Sequence, residues 1–187
     1  MTNEQIGMVL SLCGMVVNVL SYQVKHKLPL MVLQTVGSTL FLISYAFSGG
    51  GIGVVLNALM LARNFLVIFY KPKTKTQLYV FCGGLFASYI ITYVAYTVVA
   101  NEGLVNNVWN AFPILAAIFG TIAFMYSNVN MLRVWKYGDS ICWLTYNMRI
   151  GIGVLGGIIG EVLNLISLTV GIIRFRDKKQ KGTNTTL

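Results

Sequence analysis

Glu161 is a carboxylate inside a long apolar stretch, GIGVLGGIIGEVLNLISLTVGIIRFRDKK, which runs from Gly151 to Lys179. A charged side chain at the centre of a bilayer costs about 2.5–3.5 kcal/mol on insertion scales, so such residues usually pair or serve a function. Arg63 lies at nearly the same expected depth in another apolar stretch. We therefore predict an Arg63–Glu161 pair, which is either a structural ion pair or part of an anion-binding or proton-coupling site. Arg149 is the alternative partner.

Amide side chains accompany these two charges. Glu161 and Asn164 share one face of a predicted helix, and Asn57 and Asn64 share one face of another, although Arg63 lies about 100° off that face. These residues predict a small wet cavity that binds a polar solute. The alternative is a set of interhelical hydrogen bonds, each worth about 0.6 kcal/mol. The candidate substrate-binding residues are Asn57, Arg63, Asn64, Asn147, Glu161 and Asn164.

The composition is that of a membrane protein. Hydrophobic residues make up 56% of the chain and charged residues 10%, whereas a soluble domain has about a quarter of its residues charged. The mean hydropathy is +0.72. The net charge of +9 fits basic loops on one side of a membrane better than nucleic-acid binding. We expect the lipid bilayer and a small polar solute as partners, with no nucleic acid, and a homo-oligomer stays open.

Seven segments are long and apolar enough to be considered as spans, since a transmembrane helix needs about 20 mostly apolar residues. They cover approximately residues 5–23, 28–48, 52–70, 77–99, 107–127, 133–149 and 152–174. The sixth is the least hydrophobic, and on hydropathy alone it could be a surface segment; the distribution of basic residues is what includes it as a span. Pro113 lies within the fifth span, where it frees a backbone carbonyl, and it is a candidate hinge or only a kink.

Basic residues alternate from one connection to the next. With seven spans, twelve of the 14 lysines and arginines fall on one side: Lys25, Lys27, Lys71, Lys73, Lys75, Arg133, Lys136, Arg174, Arg176, Lys178, Lys179 and Lys181. Basic residues accumulate on the cytoplasmic side of a membrane. We therefore predict an outside N-terminus and a cytoplasmic C-terminus. Six spans would break this alternation.

The spans group as three, one and three. LFLISYAF (40–47) matches CWLTYNMR (142–149), and GIGVVLNALM (51–60) matches GGIIGEVLNL (156–165). The predicted fold is an all-α integral membrane protein of seven transmembrane helices, arranged as two parallel three-helix bundles joined by a linker helix (3+1+3). The domains are the first bundle at 1–73, the linker at 74–104, the second bundle at 105–176 and a basic cytoplasmic tail at 177–187. Parallel repeats of this kind place a transporter's binding site near the midplane.

Catalytic and metal-binding patterns are absent from the sequence. The cysteines are scattered and His26 is the only histidine, which argues against a zinc site. The sequence has no HExxH motif, no serine–histidine set and no paired intramembrane aspartates, and the Gly-Asp of YGDS falls at a predicted cytoplasmic edge. We expect no enzymatic activity, no cofactor and no metal.

Four segments resemble the YgjV-type bacterial inner-membrane protein family: LPLMVLQTVGSTLFLISYAF, LMLARNFLVI, FPILAAIFGTIAFM and GEVLNLISLTVGIIRFR. The resemblance covers nearly the whole chain before Lys178. It implies a bacterial inner-membrane location and carries no biochemical role. The 3+1+3 plan is in turn similar to SWEET and PQ-loop transporters, in which the third span of each bundle offers polar residues to a central site. Asn57 and Glu161 hold those positions here, but the chain has no Pro-Gln dipeptide and lacks the four-proline hinge, so a sugar substrate does not follow.

These observations favour a small multi-pass transporter or permease. Its solute would be polar or anionic and would bind near the membrane midplane between the two bundles. The alternative is a non-transporting scaffold or sensor whose buried ion pair is structural. The identity of the solute and of any coupling ion stays open.

The distribution of basic residues makes a prediction about topology. Reporter fusions after Lys75, after Lys136 and at the C-terminus should report a cytoplasmic location, and fusions at Gly50 and Glu102 should report the outside, because basic connections stay on the cytoplasmic side. A C-terminal reporter found outside would contradict the odd number of spans.

Overall fold

A computed structural model describes residues 2–49, 51–70, 74–101, 103–126, 128–150 and 154–183, without the side chains of Lys75 and of residues 175–183. Gly50, Glu102 and the lysines at 71 and 73 lie outside the described residues. The described part of the chain contains helices and no strands. The helices are α1 (Asn3–Ser21), α2 (Lys27–Phe47), α3 (Gly51–Phe69), α4 (Lys75–Ala100), α5 (Leu104–Met125), α6 (Val129–Ile150) and α7 (Leu155–Thr183).

Two of the helices begin with a capping box. The Thr2 hydroxyl accepts from the Gln5 backbone N–H at the start of α1, and the Gln5 side chain accepts from the Thr2 backbone. Thr74 and Gln77 make the same two bonds at the start of α4. Each box satisfies N–H groups that lack a partner in the first turn. Local sequence therefore fixes where these two helices begin.

Six helices have the length and composition of membrane spans: α1 to α5 and the 155–174 part of α7. The prediction of an all-helical membrane protein is confirmed. Helix α6 is the exception because it contains several polar and charged residues. These residues are buried in the protein; they are Arg133, Lys136, Asp139, Ser140 and Asn147. Its 22 residues extend about 33 Å, which matches the hydrocarbon thickness of a bilayer.

The helices pack as a closed ring in the order α1, α2, α3, α5, α6, α7, with α7 returning to α1. Helix α4 lies outside this ring, against α3 and α5. The ring therefore encloses an interior that five of its helices line with polar side chains, and α4 adds an outer layer.

Two basic residues that were predicted at the start of the sixth span lie buried within α6, and their cytoplasmic side stays a prediction. Arg133 and Lys136 are 1% and 5% exposed, since α6 begins at Val129 and contains both. Arg133 donates from Nη2 to the backbone carbonyls of Tyr22 and Val24 at 3.2 and 3.1 Å. The sequence reading started this helix four residues too late and so assigned internal charges to its edge.

The ring closes where α1 and α7 touch at a glycine. A Cβ on Gly156 would lie 2.4 Å from the Ser11 hydroxyl and 2.6 Å from the Ser11 carbonyl carbon and the Leu12 nitrogen. Further along, the Ser167 hydroxyl donates to the Val19 carbonyl at 3.0 Å. Small residues allow membrane helices to approach this closely, so Gly156 sets the spacing of these two helices.

Gly156→Ala is expected to destabilise the protein by about 1–3 kcal/mol, because backbone atoms cannot move aside as a flexible side chain can. Gly84→Ala is the matched control, since a Cβ on Gly84 meets nothing within 4 Å. The control should be neutral or stabilising by up to about 1 kcal/mol through helix propensity. Unfolding in detergent micelles measures both, and equal effects would contradict the close approach.

Candidate functional site

A polar cavity of about 40 Å³ lies inside the ring of helices. A buried water requires about 10–15 Å³ of such space, so the cavity has room for a few water molecules. Its polar and charged lining comes from α1, α2, α3, α6 and α7 together with Tyr22, the residue after α1. This lining comprises Asn18, Tyr22, Gln34, Ser38, Tyr45, Asn57, Arg63, Asn64, Lys136, Asp139, Ser140, Asn147, Glu161 and Asn164.

The structure brings all six predicted site residues to this one cavity. Asn57, Arg63 and Asn64 come from α3, Asn147 from α6, and Glu161 and Asn164 from α7. Their role in binding a solute stays a prediction. Pro113 is buried within α5, which continues through it, and its role as a hinge also stays a prediction.

Amide groups form one end of the cavity. The Tyr45 hydroxyl donates to Asn147 Oδ1, and Asn57 Nδ2 donates to the Gly53 carbonyl at 2.9 Å. The Gly53 backbone N–H donates to the Tyr146 hydroxyl at 3.2 Å. These bonds join α2, α3 and α6: Asn147 is held from α2, whereas Asn57 is held within α3, which is itself bonded to α6 through Gly53.

Arg63 is 1% exposed and lines the cavity, and its guanidinium group is directed towards α5. Its Nη2 and Nε donate to Asn64 Oδ1 at 2.7 and 3.1 Å. Its Nη1 lies 3.4 Å from the Ala117 carbonyl and from Thr121 Oγ1. The guanidinium carbon lies 4.8 Å from the centre of the Phe124 ring, a cation–π contact. Neutral groups therefore stabilise this buried charge.

The predicted Arg63–Glu161 pair is wrong, because the two residues lie at different depths. Two glycines that contact consecutive residues of α6 give a common reference level for α3 and α7. A Cβ on Gly53 of α3 would lie 3.2 Å from Tyr146 Cε1, and a Cβ on Gly157 of α7 would lie 2.7 Å from Asn147 Nδ2. From these two glycines, Arg63 is ten residues further along α3 and Glu161 is four residues further along α7. The difference corresponds to about 9 Å of helix.

Arg149, the alternative partner, is also not paired with Glu161. Its Nη2 donates to Asn106 Oδ1 instead. The half-buried Glu161 carboxylate accepts from Asn164 Nδ2 at 3.2 Å and lies beside the Ser140 hydroxyl. Within the described residues, no basic side chain forms an ion pair with Glu161. Its immediate partners are neutral donors.

Lys136 and Asp139 form a buried ion pair that the sequence reading missed. They lie one turn apart on α6 and are 5% and 4% exposed. Asp139 was expected at the cytoplasmic edge, but it is ten residues into a helix that begins at Val129. The spacing of three residues between opposite charges is typical of a pair on one helix face, and this spacing was the available signal.

Gly120 of α5 makes room for the charged end of the cavity. A Cβ on Gly120 would lie 2.8 Å from Arg63 Nη1 and 3.3 Å from Asp139 Oδ2. Lys136 Nζ lies 5.2 Å from the centre of the Phe124 ring that Arg63 also contacts. Two cations and one carboxylate thus surround the same part of α5.

Several buried polar atoms of the lining lack a hydrogen-bond partner. They are Oδ1 of Asn18, Asp139 and Asn164, and both terminal atoms of Gln34. The Gln34 amide lies beside the Tyr22 hydroxyl without a hydrogen bond of ordinary geometry. Buried polar groups nearly always bond to protein or to ordered water, so these atoms indicate a wet or ligand-filled cavity. The described residues contain no cluster of His, Cys, Asp or Glu suited to a metal.

Comparison with known families gives a match over residues 5–179 to a family described as bacterial inner membrane protein. Searches of curated proteins and of solved structures gave no match.

The Lys136–Asp139 pair makes a prediction about stability. Asp139→Asn should cost about 3–5 kcal/mol, because it leaves Lys136 buried without its carboxylate, whereas Lys136→Met combined with Asp139→Leu should recover much of this loss. The Arg63→Met and Glu161→Gln cycle is the control and should show a smaller coupling energy. Unfolding in detergent measures both cycles, and a larger coupling for Arg63 and Glu161 would contradict the assigned pairing.

Proposed function

The chain belongs to the Imp-YgjV family of bacterial inner membrane proteins, and we propose that it is a small transporter or permease for a polar solute. The proposal rests on one observation, a cavity lined by amide and charged side chains inside a ring of largely apolar helices. Ionisable residues within membrane segments are rare and usually mark a substrate or ion pathway. The solute would bind between two groups of helices, α1–α3 and α5–α7.

The pattern of helix neighbours supports the 3+1+3 arrangement as part of this proposal. Helix α2 packs against α1 and α3, and α6 packs in the same way against α5 and α7. The two groups meet at α1 with α7 and at α3 with α5. If α1, α2 and α3 are exchanged with α5, α6 and α7 in that order, each of these pairs of neighbouring helices becomes another observed pair. Parallel repeats related by an axis along the membrane normal have this property, as in the SWEET and PQ-loop plan.

The size of the cavity indicates a closed conformation. A volume of about 40 Å³ holds a few waters, so a larger solute requires the two groups to move apart. Pro113 lies one turn before Ala117, and the Ala117 carbonyl accepts from Arg63 Nη1. A proline removes a helical hydrogen bond, so we propose this part of α5 as the hinge.

A non-transporting scaffold or sensor is the second candidate, because Lys136 and Asp139 already compensate each other within one helix. A buried pair of this kind can serve the structure alone. In either reading we propose no enzymatic activity and no cofactor. The two readings differ in whether the cavity opens to water.

Cysteine accessibility distinguishes the two readings. In a background without Cys13, Cys82 and Cys142, cysteines at the cavity-lining positions Asn57, Glu161 and Asn164 should react with a small water-soluble thiol reagent. Cysteines at Val162 and Leu163 are the controls, since these side chains are exposed on the outside of the bundle, where lipid would exclude the reagent. Five equally inert positions would favour the scaffold or sensor.

Uptake into liposomes tests the transport itself. A screen of polar solutes for thermal stabilisation of the purified protein should find a compound that the reconstituted protein also carries across the bilayer. Asn57→Leu should reduce both effects, because it removes an amide from the cavity. A solute set that neither stabilises the protein nor crosses the bilayer would count against the transporter.

A further inference from the structure

We infer that the cavity binds a small monovalent cation beside Glu161. The inference concerns the same cavity as the proposed function and names the class of ligand that this cavity is built to hold. It does not require that the ion be transported.

The first argument is the distribution of charge. Asp139 has Lys136 as its ion-pair partner. Arg63 is directed towards α5, where Ala117, Thr121 and Phe124 contact it, and it also donates to Asn64 of its own helix. The groups that contact Glu161 directly are neutral, and the nearby cation, Lys136, is already paired with Asp139. A carboxylate away from bulk water is stabilised most strongly by a nearby opposite charge. Glu161 is therefore the carboxylate of the cavity that lacks an ion-pair partner of its own.

The second argument is the kind of atom that lacks a partner. Four of the five unpartnered atoms of the lining are oxygens, on Asn18, Gln34, Asp139 and Asn164. The Asn164 amide nitrogen donates to Glu161, so its Oδ1 is the atom left for a ligand. Oxygen ligands suit hard cations, whereas a bound anion would meet unpartnered acceptors.

The third argument places Asn18 at the level of Asn164. Helices α1 and α7 run alongside each other, with Gly160 packed on Met15 and Ser167 hydrogen-bonded to the Val19 carbonyl. Asn18 and Asn164 lie between these two contacts in their respective helices. The Asn18 Oδ1 packs against Gly37 of α2 and lines the same cavity, so an ion held by Glu161 and Asn164 would have Asn18 as its neighbour on α1.

Size and charge limit the ion further. The cavity of about 40 Å³ holds an alkali ion or an ammonium ion with one or two waters. Lys136 and Arg63 line the same cavity and would repel a divalent ion twice as strongly as a monovalent one. Sodium, potassium and ammonium share the required chemistry.

Thermal unfolding of the purified full-length protein tests the inference. The melting temperature is measured in sodium, potassium, ammonium and choline chloride at one pH and one ionic strength. At least one of the three small cations should raise the melting temperature above its value in choline, with a dependence on concentration that saturates, because a ligand that binds only the folded state stabilises it.

Variants locate the effect. Glu161→Gln and Asn164→Leu should abolish the cation-dependent shift, and Glu4→Gln, which changes an exposed carboxylate at the start of α1, should retain it. Asn18→Leu replaces Glu161→Gln if the latter fails to fold. Equal melting temperatures in all four salts, or a shift that survives in the cavity variants, would overturn the inference.

Uptake of ²²Na⁺, ⁸⁶Rb⁺ or methylammonium into liposomes separates this inference from the proposed function. A cation-dependent melting temperature without uptake of ions or solutes supports the cation site and removes the transporter. Solute uptake with no cation-dependent shift keeps the transporter and overturns the cation site.

Discussion

The cost of burying charge away from water is the constraint on which this structure depends. Arg63, Lys136, Asp139 and Glu161 all line one cavity inside the ring, where each finds an ion-pair partner, neutral hydrogen-bond donors or acceptors, or an aromatic ring. Helix α6 illustrates the consequence. It is not among the described helices that are apolar enough to cross a membrane, and its packing against α5 and α7 accompanies the burial of its charged residues in the protein.

Small residues and aromatic rings make this burial possible. Gly156 lets α7 approach α1 and close the ring, and Gly120 leaves space in α5 for Arg63 and Asp139. Phe124 presents its ring to both Arg63 and Lys136. The same contacts that hold the helices together therefore also determine where the charged groups of the cavity lie.

The sequence predicted which residues line the cavity better than it predicted which of them contact each other. Depth and helical periodicity brought Glu161 and Asn164 to the cavity, because both follow from counting residues along one helix. The sequence predicted Glu161 as the partner of Arg63 because it does not give the relative heights of α3 and α7 in the fold. Asp139 was missed because α6 begins earlier than its hydropathy indicates, and helix boundaries are poorly determined by hydropathy when polar residues are buried.

Hydroxyl-radical labelling in lipid nanodiscs is the most direct measurement of whether the interior holds water. Tyr45 and Tyr89 are a matched pair, because they are 2% and 0% exposed and only Tyr45 lines the cavity. Radicals generated by X-rays from bound water should oxidise Tyr45 and leave Tyr89 unmodified. Equal protection of the two tyrosines would show a dry interior and contradict the account of the cavity as a binding site.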